Sequence, residues 1–365
     1  MTIEQTHDTS AISETSEAFA ERVFHALLGA ATTQAMHLGA KLGYYTILAT
    51  GAACTAAELA QRSGTHPRYA REWLEQQAVC GYLRVDNVRA EPDARRYTLP
   101  AAHADVLANA DSLNYLTPIA QIFAASARHL DDLADAYRHG TGVSWDRLGN
   151  DAREGQAAIN RPLFLGPLGS EYLPALPEVD EALRTGGRVA DIGCGYGWSS
   201  IGIATAYPAA TVDGVDVDEP SVAAARNNAQ LHGVSDRVSF TAAMPAASAS
   251  YDLVCAFECI HDMSDPISVL AEMRRLVRPD GTVLIMDERV APEFTAPGDD
   301  IEQIMYSYSV LCCLADGMSH QPSVGTGTVM RPAKLEEYAR AAGFAGIEIL
   351  DIENDFFRFY RLVHG

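Results

Sequence analysis

The segment 188–197 is the feature that most constrains what this chain can fold into. It reads Arg-Val-Ala-Asp-Ile-Gly-Cys-Gly-Tyr-Gly, an apolar stretch ending near Asp191 and followed by a turn with three alternating glycines, Gly193, Gly195 and Gly197. A helical pattern over residues 198–207 comes next. Glycine permits positive φ and close approach of a ligand to the main chain, and a helix start offers free N–H groups. The sequence therefore predicts a strand that reverses into a helix at a ligand-binding turn.

A second strand pattern, residues 210–218, follows the turn and ends in acidic residues. Asp216 lies where a carboxylate can accept both hydroxyls of a ribose, as in other doubly wound folds. Asp213, inside the strand, and Asp218, which the next residues mark as a helix cap, are the alternatives. The glycine spacing lacks the G-x-x-G step of dinucleotide-binding folds. The pattern thus favours a nucleoside ligand over NAD.

Size and charge limit the possible functions. The chain has 365 residues, a length sufficient for two domains, and 48% of the residues are hydrophobic. Its formal net charge is −21. An acidic surface repels phosphate backbones, so we expect no nucleic-acid partner. We also expect no membrane partner, because no apolar run is long enough to span a bilayer. The first residues are polar, which predicts a disordered leader over 1–15 and no signal peptide. Seven cysteines without a Cys-x-x-Cys pair predict reduced thiols, a cytoplasmic location and no metal site.

The N-terminal part shows the pattern helix, turn, helix and β-wing. Helices are predicted over 16–30, 32–49, 56–63 and 68–80, and short strands over 81–87 and 95–99. This is typical of a winged helix, which we assign to residues 16–100. Such a module either binds DNA or dimerises. Glu72 and Glu75 offset Arg68 and Arg71 on the second helix of the motif, so we favour a homodimer formed through this domain.

The rest of the chain divides into a helical connector over 101–185 and an alternating strand–helix region over 186–365. The strands are predicted near 188–192, 211–216, 237–241, 251–257, 281–287, 346–351 and 356–363. No helical pattern separates the last two, so the final strand is expected to run antiparallel. The predicted fold class is α/β, a doubly wound seven-stranded, Rossmann-like sheet with an N-terminal α-helical winged-helix domain.

The glycine turn resembles motif I of class I S-adenosylmethionine (SAM) methyltransferases. Residues 260–265, Ile-His-Asp-Met-Ser-Asp, resemble the His-Asp-x-Ser-Asp segment of plant-type small-molecule O-methyltransferases and of a bacterial group with an N-terminal winged helix. The resemblance covers the chain from about residue 16 to its C-terminus. It implies SAM as the cofactor and a small molecule as the acceptor, with O-methylation of an aromatic or polyketide-like metabolite favoured.

The resemblance also implies roles for individual residues. His261 is the expected general base and Glu288 the carboxylate that orients it, since an adjacent acid stabilises an imidazolium. The alternative is that His261 only packs at the strand end. The expected cofactor-binding residues are Asp191, Gly193, Cys194, Gly195, Asp216, Val217, Ala243, Met244, Phe257, Glu258 and Tyr172.

Two departures from the family pattern stand out. The family usually has an acid after the third strand of the sheet to hold the adenine, whereas this chain has Ala242, Ala243 and Met244 there. A second family carboxylate, expected near residues 327–332, also has no equivalent.

The insertion over residues 291–331 is expected to line the acceptor pocket. Its aromatic, methionine and histidine side chains suit a flat, hydrophobic ligand, and the candidates are Met305, Tyr306, Met318 and His320. The alternative is a helix that packs against a second copy of the chain.

Two other functions stay open from the sequence. One is a protein that binds SAM or its demethylated product without transferring a methyl group, as a regulator or as a catalyst of another reaction. The other is methyl transfer to carbon or nitrogen instead of oxygen.

Overall fold

A computed structural model describes residues 14–246 and 248–365, so most of the predicted leader lies outside the described residues. The chain forms two compact units, one up to Ala108 and one from Asn109 to Gly365. Residues of the predicted connector from Asn109 onwards thus belong to the same unit as the sheet. The domain boundaries that we predicted at residues 100 and 185 stay predictions.

The N-terminal unit is helical with a small two-stranded wing. Its elements are α1 (Ser16–Lys41), α2 (Tyr44–Leu48), α3 (Ala56–Ser63), α4 (Pro67–Val79), β1 (Arg84–Val85), β2 (Tyr97–Thr98) and α5 (Ala101–Leu107). The predicted capping box of α3 is present between Thr55 and Glu58. The predicted break near residue 31 was wrong, because the Ala- and Thr-rich sequence there contains no proline and α1 continues through Gly29. The helix instead ends just before Gly43, whose φ of 69° no helix accommodates.

Aromatic residues form the centre of the N-terminal unit. Trp73 lies edge-on to Tyr44 and Tyr45, with ring centroids 4.8 Å and 5.2 Å away. The indole N–H of Trp73 donates to the carbonyl of Ala35 at 2.9 Å. Edge-to-face rings and a satisfied indole are the favourable way to bury such side chains, so this cluster holds α1, α2 and α4 together.

The helices of the C-terminal unit surround one sheet. They are α6 (Thr117–Ala127), α7 (Leu130–His139), α8 (Trp145–Leu148), α9 (Asn150–Leu165), α10 (Pro177–Arg184), α11 (Trp198–Ala206), α12 (Glu219–Leu231), α13 (Pro266–Leu276), α14 (Asp300–Tyr308), α15 (Leu314–Gly317) and α16 (Pro332–Ala341). Two π-helical turns, Leu168–Tyr172 and Ser309–Cys313, interrupt the series. Among the described residues, no helix combines the length and apolar character needed to cross a bilayer.

The sheet has seven strands in the order β5-β4-β3-β6-β7-β9-β8. The strands are β3 (Arg188–Ile192), β4 (Thr211–Val215), β5 (Val238–Thr241), β6 (Tyr251–Phe257), β7 (Val277–Glu288), β8 (Gly346–Ile349) and β9 (Phe357–Val363). The predicted antiparallel last strand is confirmed, since β9 pairs antiparallel with both β7 and β8. The chain order reverses between β3 and β6. Ligands in such sheets bind at the carboxyl ends of the strands beside this reversal.

Close packing of α11 against α9 fixes the helix that follows the glycine turn. A Cβ added at Gly202 would lie 1.9 Å from the carbonyl oxygen of Phe164. Only a glycine therefore lets the two helices approach this closely.

We predict that Gly202→Ala destabilises the protein, although alanine is the better helix former, because the added methyl group overpacks a rigid contact at a typical cost of about 1–3 kcal/mol. The matched control is Gly29→Ala in α1, where an added Cβ meets nothing within 4 Å. That change should be neutral or stabilising, by up to ~1 kcal/mol. Differential scanning calorimetry of both variants checks this, and an unchanged or higher melting temperature for Gly202→Ala would contradict it.

Candidate active site

The glycine turn between β3 and α11 has the backbone that its sequence predicts. Gly193, Gly195 and Gly197 have φ of 72°, 51° and 78°. A Cβ on Gly193 would meet Cys259 Sγ at 2.6 Å, and one on Gly197 would meet the Phe240 ring at 2.6 Å, whereas one on Gly195 would meet nothing within 4 Å. Packing thus requires the outer two glycines, and the middle one leaves open space on the side where a ligand can approach.

Asp191, at the end of β3, stabilises this turn through hydrogen bonds to α11. The residue is only 1% exposed, and its Oδ2 accepts hydrogen bonds of 2.6 Å from the hydroxyls of Ser199 and Ser200. Burial raises its pKa to about 6. Since both serines lie in the first turn of α11, Asp191 joins the end of β3 to that helix. The cofactor contact predicted for it stays a prediction.

Asp216 connects the turn to the end of β4. Its Oδ2 accepts from the Gly195 amide at 2.7 Å and its Oδ1 from the Asp218 amide at 2.9 Å. Each carboxylate oxygen has a second lone pair, so both can still accept a hydroxyl. Burial raises the pKa of this carboxyl. The geometry thus suits the ribose role that the sequence predicts for Asp216.

The two alternative acids have other partners. Asp218 accepts from the Ser221 amide at 3.0 Å and caps α12, as predicted. It also binds the guanidinium of Arg153 through hydrogen bonds of 2.8 Å and 2.6 Å. Asp213 lies inside β4 and accepts from Tyr251 and Ser239 at 2.8 Å and 2.6 Å.

A cavity lies beside the glycine turn, and one of its walls is α9. Arg153, Gln156 and Asn160 of that helix line it together with Cys194, Phe257 and Glu258. Sequence reasoning missed the α9 residues. Their spacing of three and four places them on one helix face, and a polar stripe of this kind in a mostly apolar unit is the signal that could have found them.

Six predicted cofactor residues do not line this cavity, namely Asp191 and Asp216, described above, and four others. Val217 is 87% exposed, Ala243 is exposed, and Met244 packs partly buried against the core. Tyr172 is buried against Phe359, and its hydroxyl accepts from the Asn354 amide at 2.9 Å. Their roles stay predictions.

His261 lies in a cluster of carboxylates where β6 and β7 end. Its Nδ1 donates to Asp287 Oδ1 at 2.9 Å and lies 3.3 Å from Glu288 Oε2, while its Nε2 lies 3.3 Å from Asp262 Oδ1. His261, Asp287 and Glu288 are 2%, 0% and 7% exposed. The aligned hydrogen bond thus goes to Asp287. The family resemblance pointed to Glu288, the carboxylate that follows the fifth strand of the sheet, but both carboxylates reach the ring where β7 ends.

Burial and mutual charge shift the pKa values of this cluster. Burial alone would lower the pKa of His261, but the carboxylates of Asp262, Glu288 and Asp287 raise it well above its ordinary value. Burial raises the pKa of Glu258 to about 8 and that of Glu288 well above its usual range. Asp287 Oδ2, Glu288 Oε2 and Glu258 Oε1 are buried without a hydrogen-bond partner in the described structure. Burial thus favours the protonated form of Glu258 and Glu288, and the carboxylates around His261 favour its protonated form.

The insertion over residues 291–331 is helical from α14 to α15, with the π-helical turn between them. Met305 is buried, Tyr306 is 39% exposed with its hydroxyl near Arg331, Met318 is half-buried, and His320 is exposed. None of the four lines the cavity beside the glycine turn. Tyr308, another aromatic residue of the insertion, stacks on Phe123 with ring centroids 5.3 Å apart, and burial raises the pKa of its hydroxyl.

Comparison with known proteins identifies the family. Residues 190–285 match a family model described as a methyltransferase domain, and residues 30–109 match an Rv2258c-like winged HTH domain. A ubiquinone biosynthesis O-methyltransferase of Neisseria meningitidis is 33% identical over 193 residues, which are 51% of this chain and 72% of that protein. The chain belongs to the SAM-dependent methyltransferases.

Other members of the family extend the comparison. A 27-O-demethylrifamycin SV methyltransferase of Amycolatopsis mediterranei is 32% identical over 46% of this chain and 56% of its own length. This methyltransferase thus spans only about half the length of the first curated relatives that it matches. The structure of the mitomycin 7-O-methyltransferase MmcR shares the fold, with a TM-score of 0.71 at 19% identity over 96% of this chain and 98% of that one.

We predict that Asp287→Asn lowers the pKa of His261, because the change removes one of the three carboxylate charges that raise it. Titration of isotope-labelled histidine by NMR measures the shift. Asp265→Asn, which changes an acid that caps α13, is the matched control and should leave the pKa of His261 unchanged. The idea fails if both variants titrate like the unmodified protein.

Proposed function

We propose that this methyltransferase transfers a methyl group from SAM to an oxygen of a small molecule. One observation carries the proposal: the glycine turn with Asp216 and the His261 cluster both lie where strands β3, β4, β6 and β7 end. The nucleoside site at Asp216 and the proton-accepting groups of the His261 cluster thus lie at one edge of the sheet. The names of two relatives, which methylate oxygens of rifamycin and mitomycin compounds, support an aromatic or polyketide-like acceptor.

The described residues fit the cofactor. The open side of Gly195 admits a ligand against the main chain, and Asp216 has lone pairs left for ribose hydroxyls. We propose that Cys194, Phe257 and Gly193 enclose the same ligand, with Asp191 holding the turn. SAM supplies a methyl group on a positively charged sulfur, which a nucleophile displaces in line. The chain's main contribution is then to hold the acceptor in that line.

Proton transfer is assigned to the His261 cluster. An acceptor hydroxyl loses its proton as it attacks, and a buried imidazole flanked by Asp287 and Glu288 stabilises an added positive charge. We propose that the cluster receives this proton and that Asp287, together with Glu288, orients the ring. Transfer to carbon or to an already ionised oxygen would need no such group. A protein that binds SAM without methylating is not favoured, because the relatives of this chain are methyltransferases.

The acceptor is proposed to contact the insertion. Met305, Tyr306, Met318 and His320 are the candidate contacts, and Tyr308, which stacks on Phe123, is a further aromatic candidate of the insertion. The acidic character of the reacting end disfavours an acceptor that carries a carboxylate or phosphate next to the reacting atom.

A second copy of the chain is the proposed partner. Along α1, apolar side chains at spacings of three and four are exposed between 41% and 62%, namely Phe19, Val23, Phe24 and Leu27. A stripe of this kind on a long helix is typical of a dimer interface. The ion pairs of the winged helix favour dimerisation over DNA binding. Arg68 pairs with Glu72 and Arg71 with Asp93, so neighbouring acids neutralise these arginines. The free cysteines support a cytoplasmic location.

We predict that Asp216→Ala weakens SAM binding by about 1–3 kcal/mol, because ribose hydroxyls lose their acceptor. Isothermal titration calorimetry measures the affinity, and methyl transfer to a panel of phenols tests the activity. Asp213→Ala changes an acid of β4 that accepts from Tyr251, and this variant should bind SAM like the unmodified protein. Equal affinity in the Asp216 variant and the unmodified protein would reject the ribose role.

We predict that the protein is a homodimer and that Phe24→Asp combined with Leu27→Asp makes it a monomer, because two charges cannot be buried in an apolar interface of roughly 2,000 Å² or more. Light scattering after size exclusion gives the mass. Val88→Asp changes an equally exposed apolar residue of the wing, 70% exposed, and should leave the dimer intact. A monomeric unmodified protein would refute the assignment.

A further inference from the structure

Glu258 has an unusual backbone for a glutamate. It follows β6 directly with a φ of 55°, and Ala249 is the one other non-glycine residue with positive φ in the described structure. Its amide donates to the carbonyl of Met286 at 2.8 Å, which fixes the main chain in this conformation. Left-handed backbone at a side-chain-bearing residue is unfavourable, and where it persists it is concentrated at functional sites.

One carboxylate oxygen of Glu258 accepts a hydrogen bond and the other does not. Oε2 accepts from the Gln156 amide at 3.3 Å, and Asn160 of the same helix also acts as a donor to this carboxyl. Oε1 is buried and has no hydrogen-bond partner. Glu258 also lines the cavity beside Gly193 and Gly195, so its carboxyl group borders the space that a ligand would enter.

The charged surroundings of Glu258 are mostly acidic. Asp287 and Asp262 raise its pKa and His261 lowers it, and the guanidinium of Arg153 lines the same cavity. Burial is the largest cause of the shift to about 8, and His261 opposes it. A carboxyl group with a pKa near the working pH is well suited to general base catalysis.

We propose that Glu258 is the catalytic base that takes the proton of the acceptor, while the protonated His261 nearby stabilises its ionised carboxylate. The proposal rests on the methyl transfer proposed above. The acceptor oxygen forms a bond to the methyl carbon while the carbon–sulfur bond breaks and its electron pair stays on sulfur, which becomes a neutral thioether. The hydroxyl proton moves to Oε1 of Glu258. Glu258 lines the cavity and the 2% exposed His261 does not, so Glu258 is the group through which the proton enters.

The test compares Glu258→Gln with the unmodified protein in methyl transfer from SAM to a neutral alcohol or weakly acidic phenol. We expect kcat to fall by about 10²-fold or more while the Kd for SAM stays unchanged. In the unmodified protein kcat should rise as pH rises through about 8, because only the ionised carboxylate accepts a proton. This rise should be absent in Glu258→Gln.

Two further variants sharpen the test. Glu154→Gln changes an exposed acid on α9 and should keep both the rate and the pH profile. His261→Ala should lower kcat by about 10²–10⁴-fold and move the inflection to higher pH, because His261 lowers the pKa of Glu258. An inflection that stays in place in His261→Ala would contradict the coupling.

Three results would overturn the proposal. A matching loss of SAM affinity in Glu258→Gln would make the residue a cofactor ligand. An unchanged kcat and pH profile would leave it without a role. Activity lost with a chelator and restored by Mn²⁺ would make the cluster an ion site.

If the unmodified protein binds SAM but methylates no acceptor, the proposed function fails separately. Infrared difference spectra then decide about Glu258, which must show a buried carboxyl that titrates near pH 8 and is absent in Glu258→Gln.

Discussion

The hydrogen bond from the Gly195 amide to Asp216, 2.7 Å long, holds together the part of the molecule on which the site depends. The main chain must reverse between β3 and α11 within a few residues, and positive φ at three glycines makes this possible. Asp191 fixes the helix side of the reversal through two serine hydroxyls. The turn is thus clamped from both sides, and the open face of Gly195 keeps its position relative to β4.

Buried negative charge is the second determinant of the site. Two buried acids, Asp287 and Glu288, and the partly exposed Asp262 lie around a single buried imidazole, and Glu258 acts on the same group of charges. Desolvation makes isolated charges costly, so such a group shares protons instead of remaining fully ionised. The same environment that stabilises a protonated His261 raises the pKa of Glu258.

Much of the architecture follows from local patterns. The strands β3 and β6 begin and end at the predicted residues, because buried parallel strands read as short apolar runs bounded by turns. The capping roles of Thr55 and Asp218 were also predictable, since caps depend on neighbours in the sequence. The extent of α1 was not, because the absence of a proline is weaker information than its presence.

The sequence by itself determined the order of strands and helices, the glycine turn, and the presence of acids at the ends of β4 and β7. Only the tertiary structure decided which of these acids reach one another. Asp287 bonds to His261 because β6 and β7 end side by side, and α9 contributes Gln156 because α11 packs closely against it. These contacts join residues distant in the chain, and their geometry depends on packing that no local pattern contains.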